Sequence, residues 1–238
     1  MGDPVVLSKT LVDKAGVKLR RFALHRDVDP TEFRRALDVV TTFRATWAAP
    51  PQPLAKVSMG LRSLTGRVVS GKPRVSQRLK RLHRIVEKLS REEHRTMRLS
   101  QMEDVGGCRV VVPSLSELWS LRERVVGTWQ DYLRDEHDYI AHPKKDGYRG
   151  IHLVVMRDDR LVEIQLRTQR QHLWATQVER LEMTRGEALR GGHGRKATQN
   201  ALRGLADAFA QAESVQEAPW ETLRAQLELW LAELTDKG

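Results

Sequence analysis

Residues 105–112, VGGCRVVV, decide the fold of this chain. A short run rich in β-branched residues, with few polar side chains, is typical of a strand that is buried on both faces. Two further stretches have the same character: GIHLVVM at 150–156 and RLVEIQL at 160–166. They flank the turn sequence RDDR at 157–160, so they predict a β-hairpin.

Helices are predicted on both sides of these strands. Between Asp29-Pro30 and Pro50-Pro51, residues 31–48 form a helix by their spacing of apolar side chains, with residues 54–69 as a second helix. The first helix has an apolar face made by Phe33, Leu37, Val40, Phe43 and Trp47.

Three later signals extend this pattern. Ser114 and Glu117 have the spacing of a capping box that opens a helix. The chain turns helical again from Thr168 and is interrupted by glycines between residues 186 and 194. A last helix carries the apolar residues Leu223, Leu227, Trp230 and Leu234.

The order of elements predicts an α/β (α+β) protein, with strands in the middle and extra helices at both ends. We expect an N-terminal helical region at 1–70, a catalytic core at 71–185 and C-terminal helices that pack on the core at 186–238. No apolar run approaches the roughly 20 residues of a membrane span, so no membrane association is expected. A single cysteine, Cys108, excludes an internal disulfide and favours a cytoplasmic location.

The charge is strongly positive. Lysine and arginine number 41 against 31 aspartate and glutamate, which gives a net charge of +10. Such a field attracts polyanions, either nucleotides or nucleic acids, although it also serves solubility. Arginine is frequent, and its planar guanidinium suits phosphate.

Three polar groups of residues have the composition of a phosphate-handling site. Asp104 precedes the first strand, where a carboxylate can hold Mg²⁺ and the glycines at 106 and 107 let a nucleotide approach the backbone. The loop DYIAHPKKDGYRGIH at 138–152 offers cationic lysines and an exposed tyrosine ring. Strand alternation puts Glu163, Gln165 and Arg167 on one face. Each group also has an ordinary structural explanation, as a surface turn or as the wet face of a sheet.

The order of four motifs resolves this ambiguity. RLKRLHRIVEKL (78–89), MEDVGGCRVVV (102–112), DYIAHPKKDGYRGIH (138–152) and VEIQLRT (162–168) together resemble the successive signatures of the RelA/SpoT synthetase domain. This resemblance spans about residues 75 to 180. It implies a mixed sheet of about five strands flanked by helices, related to nucleotidyltransferases, and transfer of the β,γ-pyrophosphate of ATP to a ribose 3′-hydroxyl.

The resemblance also implies a role for each matching residue. Asp104 and Glu163 match the carboxylates associated with Mg²⁺, and they are the catalytic candidates. The ATP-binding candidates are Arg78, Lys80, Lys88 and Arg109, with Arg78 and Arg109 matching the pair that sandwiches adenine. The candidates for binding the acceptor and its phosphates are Lys144, Tyr148, His152, Gln165 and Arg167.

Two positions depart from the family pattern. Arg84 stands where the family usually has serine, which affects a phosphate contact. Asp146 replaces the common asparagine of PKxNGY, which adds negative charge beside the acceptor. Because too few residues precede the motifs to form the family's hydrolase domain, hydrolysis is not expected.

The identity of the acceptor is the most detailed expectation. MGLR (59–62), MRLSQMEDVGGCR (97–109) and HLWATQVE (172–179) resemble a subgroup of toxic small alarmone synthetases that are encoded beside antitoxins, some of which modify the 3′-CCA end of uncharged tRNA. We therefore expect a translation-inhibiting toxin that modifies tRNA, with Lys18, Arg20 and Arg21 contacting the acceptor stem and an antitoxin as partner. The alternatives are a synthetase that acts on free guanine or adenine nucleotides, and a non-catalytic RNA-binding module.

Overall fold

Five strands form one mixed sheet in a computed structural model of the chain, which describes residues 7–25, 28–50, 52–70, 73–186 and 188–215. The strands are β1 (Arg74–Leu79), β2 (Gly106–Val112), β3 (Leu133–Asp138), β4 (Ile151–Arg157) and β5 (Arg160–Thr168). Their order across the sheet is β1-β2-β5-β4-β3, with β2 and β5 parallel and the other neighbours antiparallel. The predicted α/β class and the mixed five-stranded sheet are confirmed.

The predicted hairpin joins β4 to β5 through a two-residue turn. Asp158 and Asp159 both have positive φ angles, 48° and 57°. Two left-handed residues in succession give the turn the twist that neighbouring antiparallel strands require, and aspartate tolerates that conformation better than most residues. This turn sets the register of β4 against β5, and therefore which side chains meet across the two strands.

Seven helices cover the described part of the sheet and its flanks. They are α1 (Lys9–His25), α2 (Pro30–Ala45), α3 (Pro53–Thr65), α4 (Leu82–Ser90), α5 (Leu115–Thr128), α6 (Gln169–Arg185) and α7 (Lys196–Val215). The helix predicted at 31–48 is α2, whose first backbone amides are capped by Asp29. None of the described helices is both long enough and apolar enough to cross a membrane.

The predicted capping box at the start of α5 forms only in part. Ser114 caps α5 as predicted, but Glu117 does not complete the box: it accepts hydrogen bonds from the backbone and side chain of Ser70 instead. A full capping box opens α6, where Thr168 and Gln171 satisfy each other's backbone. Gly186 ends α6 in the left-handed conformation.

The terminal helices are part of the packing of the sheet. Apolar residues of α1, α2 and α3, such as Leu19, Val40 and Leu61, share one buried cluster with Ile164 and other strand residues. A second cluster joins α6 and α7 to Tyr148. The boundaries proposed at residues 70 and 185 remain predictions, and the helix predicted at 223–234 lies outside the described residues.

The glycines of β2 have a different purpose from the predicted one. The indole of Trp47, which follows α2, lies directly on Gly106: a Cβ there would be 2.2 Å from Trp47 Cδ1. Trp47 Nε1 also donates to Leu161 O at 2.7 Å. At Gly107, a Cβ would be 3.0 Å from Glu163 O on the neighbouring strand. The expectation that these glycines admit a nucleotide is therefore wrong, because protein atoms fill the space beside them.

Gly106→Ala is expected to destabilise the protein by about 1–3 kcal/mol, because the new methyl group overlaps the Trp47 ring. Gly127→Ala is the matched control, since a Cβ at this helical glycine meets nothing within 4 Å. That control is expected to gain about 0.4–1 kcal/mol from reduced chain entropy. Urea unfolding of both variants checks the prediction, and equal stabilities would contradict it.

Candidate active site

Glu163 is the centre of the polar face of β5. Its side chain is only 14% exposed, and it accepts hydrogen bonds from His152 Nδ1 at 2.8 Å and from Gln165 Nε2 at 2.6 Å. His152 and Gln165 face each other across β4 and β5. The predicted alternation of β5 is confirmed, because Val162, Ile164 and Leu166 lie in the apolar core.

Three further hydrogen bonds close a ring around this carboxylate. Tyr148 Oη lies 2.6 Å from His152 Nε2, and Arg167 Nε donates to Tyr148 Oη at 2.9 Å. Arg167 Nη2 then donates to Gln165 Oε1 at 2.8 Å. We call these five residues, Tyr148, His152, Glu163, Gln165 and Arg167, the Glu163 ring.

A neutral His152 gives every member of the ring a consistent role. With its proton on Nδ1, His152 donates a hydrogen bond to Glu163, and its Nε2 atom accepts a hydrogen bond from the Tyr148 hydroxyl. Burial holds the pKa of His152 below its ordinary value of 6.5, with the cations Lys144 and Arg167 acting in the same direction. Burial alone would raise the pKa of Glu163, but the hydrogen bonds from His152 and Gln165 hold that pKa well below its ordinary value.

Asp104 forms a second charged cluster at the same end of the sheet. It lies two residues before β2, and Glu163 pairs with Gly107 on the neighbouring parallel strand. Lys80 Nζ is 2.6 Å from Asp104 Oδ2 and Lys88 Nζ is 3.0 Å from Asp104 Oδ1. Burial alone would raise the pKa of Asp104, but the two lysines lower that pKa, whereas Glu163 raises it.

The two predicted adenine-binding arginines lie near Gln165 and Glu179. Arg109 contacts Gln165 Oε1 at 3.4 Å, and Arg78 Nη1 is 4.0 Å from Glu179. Burial, Arg167 and Arg78 together lower the pKa of Arg109 to about 10. Like charges gathered this closely favour an anionic ligand that would relieve their repulsion.

His172 on α6 is a neighbour of these arginines that was not among the predicted site residues. Desolvation and the charges of Arg109 and Arg167 lower the pKa of His172 to about 4. Its Nδ1 atom is buried and has no hydrogen-bond partner in the structure. The HLWATQVE motif contained this residue, but only the folded chain shows that it faces the arginines.

Tyr148 differs from the expectation of an exposed ring. It is 8% exposed and belongs to the apolar cluster formed with Trp174 and α7. Arg167 Cζ lies 4.8 Å and Lys144 Nζ 5.2 Å from the centre of its ring. Tyr139, which was not predicted as a site residue, lies beside it with Lys144 Nζ 4.2 Å from its own ring centre.

Arg84 stands where the family usually has serine. In this structure its side chain is paired with carboxylates of the chain and serves no phosphate contact. Its guanidinium pairs with Glu87 at 2.7 Å and with the buried Glu182 at 3.1 Å. Glu182 also accepts from Arg190 Nε and from the backbone amides of Leu189 and Arg190. Arg84 therefore joins α4 to the end of α6.

Two residues of the predicted nucleic-acid patch on α1, Arg20 and Lys18, are engaged in contacts within the chain. The Arg20 guanidinium donates to the carbonyl oxygens of Leu89, His94, Arg95 and Met97, with the bonds to Leu89 and Met97 both 2.6 Å long. Lys18 is paired with Glu32 at 3.0 Å. Arg20 thus fastens α1 to the segment after α4, and the assignment of Lys18, Arg20 and Arg21 to tRNA stays a prediction. Arg21 is exposed.

One group of three possible metal ligands occurs in the described part of the chain, and it is not the predicted pair. Glu103, Asp135 and His137 have ligand atoms within 4.8 Å of one another. These side chains are largely exposed, and such groups are common without a metal ion. Asp104 and Glu163 remain the predicted magnesium ligands.

Arg20→Lys is expected to cost at least about 2 kcal/mol of stability, because an ammonium group cannot replace a guanidinium that serves four carbonyl oxygens. Arg34→Lys, at an exposed position on α2, is the control and is expected to stay within about 0.5 kcal/mol of the wild type. Thermal and urea unfolding measure both. Equal effects would show that the Arg20 bonds contribute nothing particular.

The Glu163 ring predicts that acid destabilises the protein. Because the pKa values of His152 and Glu163 are lowered by folding, the unfolded chain binds more protons than the folded chain at low pH. The His152 contribution is complete above about pH 6.5 and is lost below it; the Glu163 contribution follows below about pH 4.5. His152→Asn is therefore expected to flatten the loss of stability between pH 6.5 and 5, by up to about 1.4 kcal/mol per pH unit.

Urea unfolding at pH 7.5, 6.0 and 5.0 measures that slope. The exposed His142→Asn is the control, and it should keep the wild-type slope. If His152→Asn and the wild type lose stability equally on acidification, His152 is not the titrating group.

Comparison with known proteins shows which family region this part of the chain resembles. Residues 77–182 match the family model described as the region found in RelA/SpoT proteins. The GTP pyrophosphokinase YjbM of Bacillus subtilis is 32% identical over 110 residues, which are 43% of this chain and 52% of that protein. A GTP pyrophosphokinase of Haemophilus influenzae is 31% identical over 77 residues, 32% of this chain and 10% of that protein. The chain thus spans about half or less of the length of these relatives.

Solved structures agree on the fold. Small alarmone synthetase 1 of Bacillus subtilis, bound to its product pppGpp, aligns with a TM-score of 0.60 at 22% identity, over 76% of this chain and 96% of that chain. A GTP pyrophosphokinase family protein of Streptococcus pneumoniae aligns with a TM-score of 0.58 at 23% identity, over 77% and 96% of the two chains. Residues 77–182 of this chain therefore match the region found in RelA/SpoT proteins, and the fold is that of the small alarmone synthetases.

Proposed function

We propose that this protein transfers the β,γ-pyrophosphate of ATP to a ribose 3′-hydroxyl. The observation that carries this proposal is the placement of Asp104, between two lysines, beside the Glu163 ring at one end of parallel strands. In the reaction, the acceptor oxygen forms a bond to the β-phosphorus of ATP and the bond from that phosphorus to the α-phosphate oxygen breaks. AMP leaves, and the hydroxyl proton is released.

The residues of this chain supply alignment and charge for that step. Lys80, Lys88 and Arg109 present cations to the triphosphate, and such charge is what phosphoryl-type transfer requires of a protein. Glu163 is held ionised, because folding lowers its pKa. A carboxylate with a strongly lowered pKa is a weak base, so Glu163 orients the hydroxyl by accepting its hydrogen bond more than it removes the proton.

The carboxylates of Asp104 and Glu163 fit a magnesium ion by their chemistry. Both are anionic oxygen donors at the same end of the sheet, which is the ligand type that Mg²⁺ prefers. When bound, Mg²⁺ would neutralise phosphate charge. Lys80 and Lys88 are already in contact with Asp104, and the phosphates of ATP give these lysines an alternative anionic partner.

A free guanine nucleotide is the acceptor that the comparisons support best. The relatives are named GTP pyrophosphokinases, and one aligned structure carries pppGpp. In addition, Arg20, one of the α1 residues on which a tRNA acceptor stem was expected to rest, is engaged in structural bonds.

The 3′ end of uncharged tRNA is a second candidate, supported by charge. Three exposed basic side chains lie in this region. Lys145 is in the β3–β4 loop, and His193 and Lys196 are in and just after the glycine-rich loop that follows α6. Together with the net charge of +10, they favour an acceptor with more phosphates than a nucleotide has. A toxin role and an antitoxin partner belong to this second candidate.

The test incubates pure protein with ATP labelled on its γ-phosphate, Mg²⁺ and one acceptor at a time. Label in GDP or GTP supports the first candidate, label in deacylated tRNA supports the second, and an adenine nucleotide is a third arm. RNA binding without ATP consumption in any arm would contradict the enzyme proposal and identify a binding module.

Glu163→Gln is expected to lower kcat by about 10²-fold or more with the preferred acceptor, because it removes the anionic hydrogen-bond acceptor of the attacking hydroxyl. Glu103→Gln removes a neighbouring carboxylate that lies outside the Glu163 ring, and it is expected to keep wild-type kcat. Initial rates of AMP formation measure both variants. Equal rates in Glu163→Gln and the wild type would sink the proposed role.

A further inference from the structure

Asp146 is a buried residue of this site, and it stands where the family pattern PKxNGY has asparagine. It is 2% exposed and lies in the β3–β4 loop between Lys144 and Tyr148. Its Oδ1 atom accepts the backbone amide of Tyr148 at 3.0 Å, and its Oδ2 atom accepts the backbone amide of Gly191 at 2.8 Å. One carboxylate therefore joins two segments that are 45 residues apart in sequence.

Only a carboxylate satisfies both amides. Asparagine has a single acceptor oxygen, so either orientation of its amide would turn an NH₂ group towards one of the two N–H donors. Because the site is buried, a donor left without a partner there is costly. An aspartate at position 146 therefore satisfies the Gly191 amide as well as the Tyr148 amide, whereas an asparagine would leave one of the two amides without an acceptor.

The second segment, residues 188–195, packs beside the β3–β4 loop, and we call it the wall. Glu182 accepts the amides of Leu189 and Arg190, and Gln199 Nε2 donates to Leu189 O at 2.8 Å. At Gly192, a Cβ would be 3.0 Å from Lys145 Cβ, so the two loops are in close contact. Glu182 and Gln199 thus fix residues 188–195 to α6 and α7, and Gly191 and Gly192 meet the β3–β4 loop.

Helix α7 continues this wall. Gly147, with a φ angle of +91°, packs so closely on α7 that a Cβ would lie 2.8 Å from Ala206 Cβ and 3.3 Å from Arg203 Cα. Arg149 in the same loop donates to Asp207 at 2.9 Å. The family region ends at residue 182, so the wall is built from residues beyond it.

We propose that Asp146 is a positioning residue that ties the β3–β4 loop to residues 188–195, and that this tie sets the affinity of the protein for its acceptor. The same loop carries Lys144 and Tyr148, and its backbone is closed by bonds from Lys144 N to Tyr148 O and from Gly147 N to Lys144 O. Releasing Gly191 frees one side of that loop, whereas the lysines around Asp104 are held by other elements. The affinity half of this inference rests on the proposed function.

The experiment compares Asp146→Asn with Asp207→Asn. Asp207 is a carboxylate on the same interface, but its side chain is 70% exposed, so it is the matched control. Amide hydrogen exchange reports on the tie without any substrate. In Asp146→Asn, the Gly191 amide is expected to exchange at least about tenfold faster, and Asp207→Asn should leave that amide unchanged.

Steady-state kinetics test the affinity half. Asp146→Asn is expected to raise KM for the acceptor about tenfold while KM for ATP stays within about twofold of the wild type. Unchanged exchange at Gly191 overturns the tie, and faster exchange with an unchanged acceptor KM overturns the positioning role. If the wild type transfers nothing to any acceptor, the proposed function and the KM half fail together, while exchange still decides the tie.

If Asp146→Asn does not fold, a measurement on the wild-type protein still tests the tie. In the wild-type protein, the Gly191 amide should exchange slowly, because it is bonded to a buried carboxylate. The amide of Gly194, in an exposed part of the same loop, is the internal reference. Equal exchange of the two amides would overturn the tie.

Discussion

The structure depends on keeping a charged carboxylate, Glu163, mostly buried between two strands. An ionised side chain in such a place is stable only when donors surround it. The Glu163 ring meets that condition, since His152 and Gln165 donate to the carboxylate and are themselves fixed by Tyr148 and Arg167. Because four of the five residues come from β4 and β5, the type of turn that joins these strands determines whether the ring can form.

The two halves of the site are organised differently. The Glu163 ring uses directional bonds between side chains on rigid strands, so it is fixed before any ligand arrives. Asp104 instead contacts two lysine ammonium groups, which are compact charges on flexible stems. Arg44 Nε donates to Lys80 O at 2.6 Å, so α2 positions the Lys80 backbone while its ammonium contacts Asp104. The fixed half is suited to orienting a hydroxyl, and the exchangeable half is suited to receiving phosphates.

Sequence reasoning succeeded where burial and chemistry agree. VGGCRVVV, GIHLVVM and RLVEIQL were predicted as strands because they lie in the centre of the sheet, where apolar residues dominate. The edge strands β1 and β3 have the sequences RVSQRL and LRDEHD, and were not recognised because an edge strand that faces solvent can be polar along its length. The polar residues of β5 were found because strand alternation alone places them on one face.

The differences between expectation and structure share one cause, which is that a residue type does not reveal its neighbours. Arg20 was counted as surface charge, but the carbonyl oxygens that bind it belong to a segment about 70 residues away. Gly106 was assigned to a nucleotide, but Trp47 occupies the space. Tyr148 was expected to be exposed, but α7, whose course no motif specifies, covers it.

The position of α7 has a consequence for the proposed acceptor site. The residues proposed to handle the transferred group, from Arg78 to Arg167, lie inside the matched RelA/SpoT region, whereas the wall against the β3–β4 loop lies after it. A change in that wall can alter the space beside Tyr148 without disturbing Asp104 or Glu163. Asp146 is the point where the two parts meet, since one of its oxygens serves the loop and the other serves the wall. Its departure from asparagine is therefore explained by its contact with residues 188–195. Its two carboxylate oxygens accept hydrogen bonds from two backbone amides, so its negative charge is not directed at the proposed acceptor.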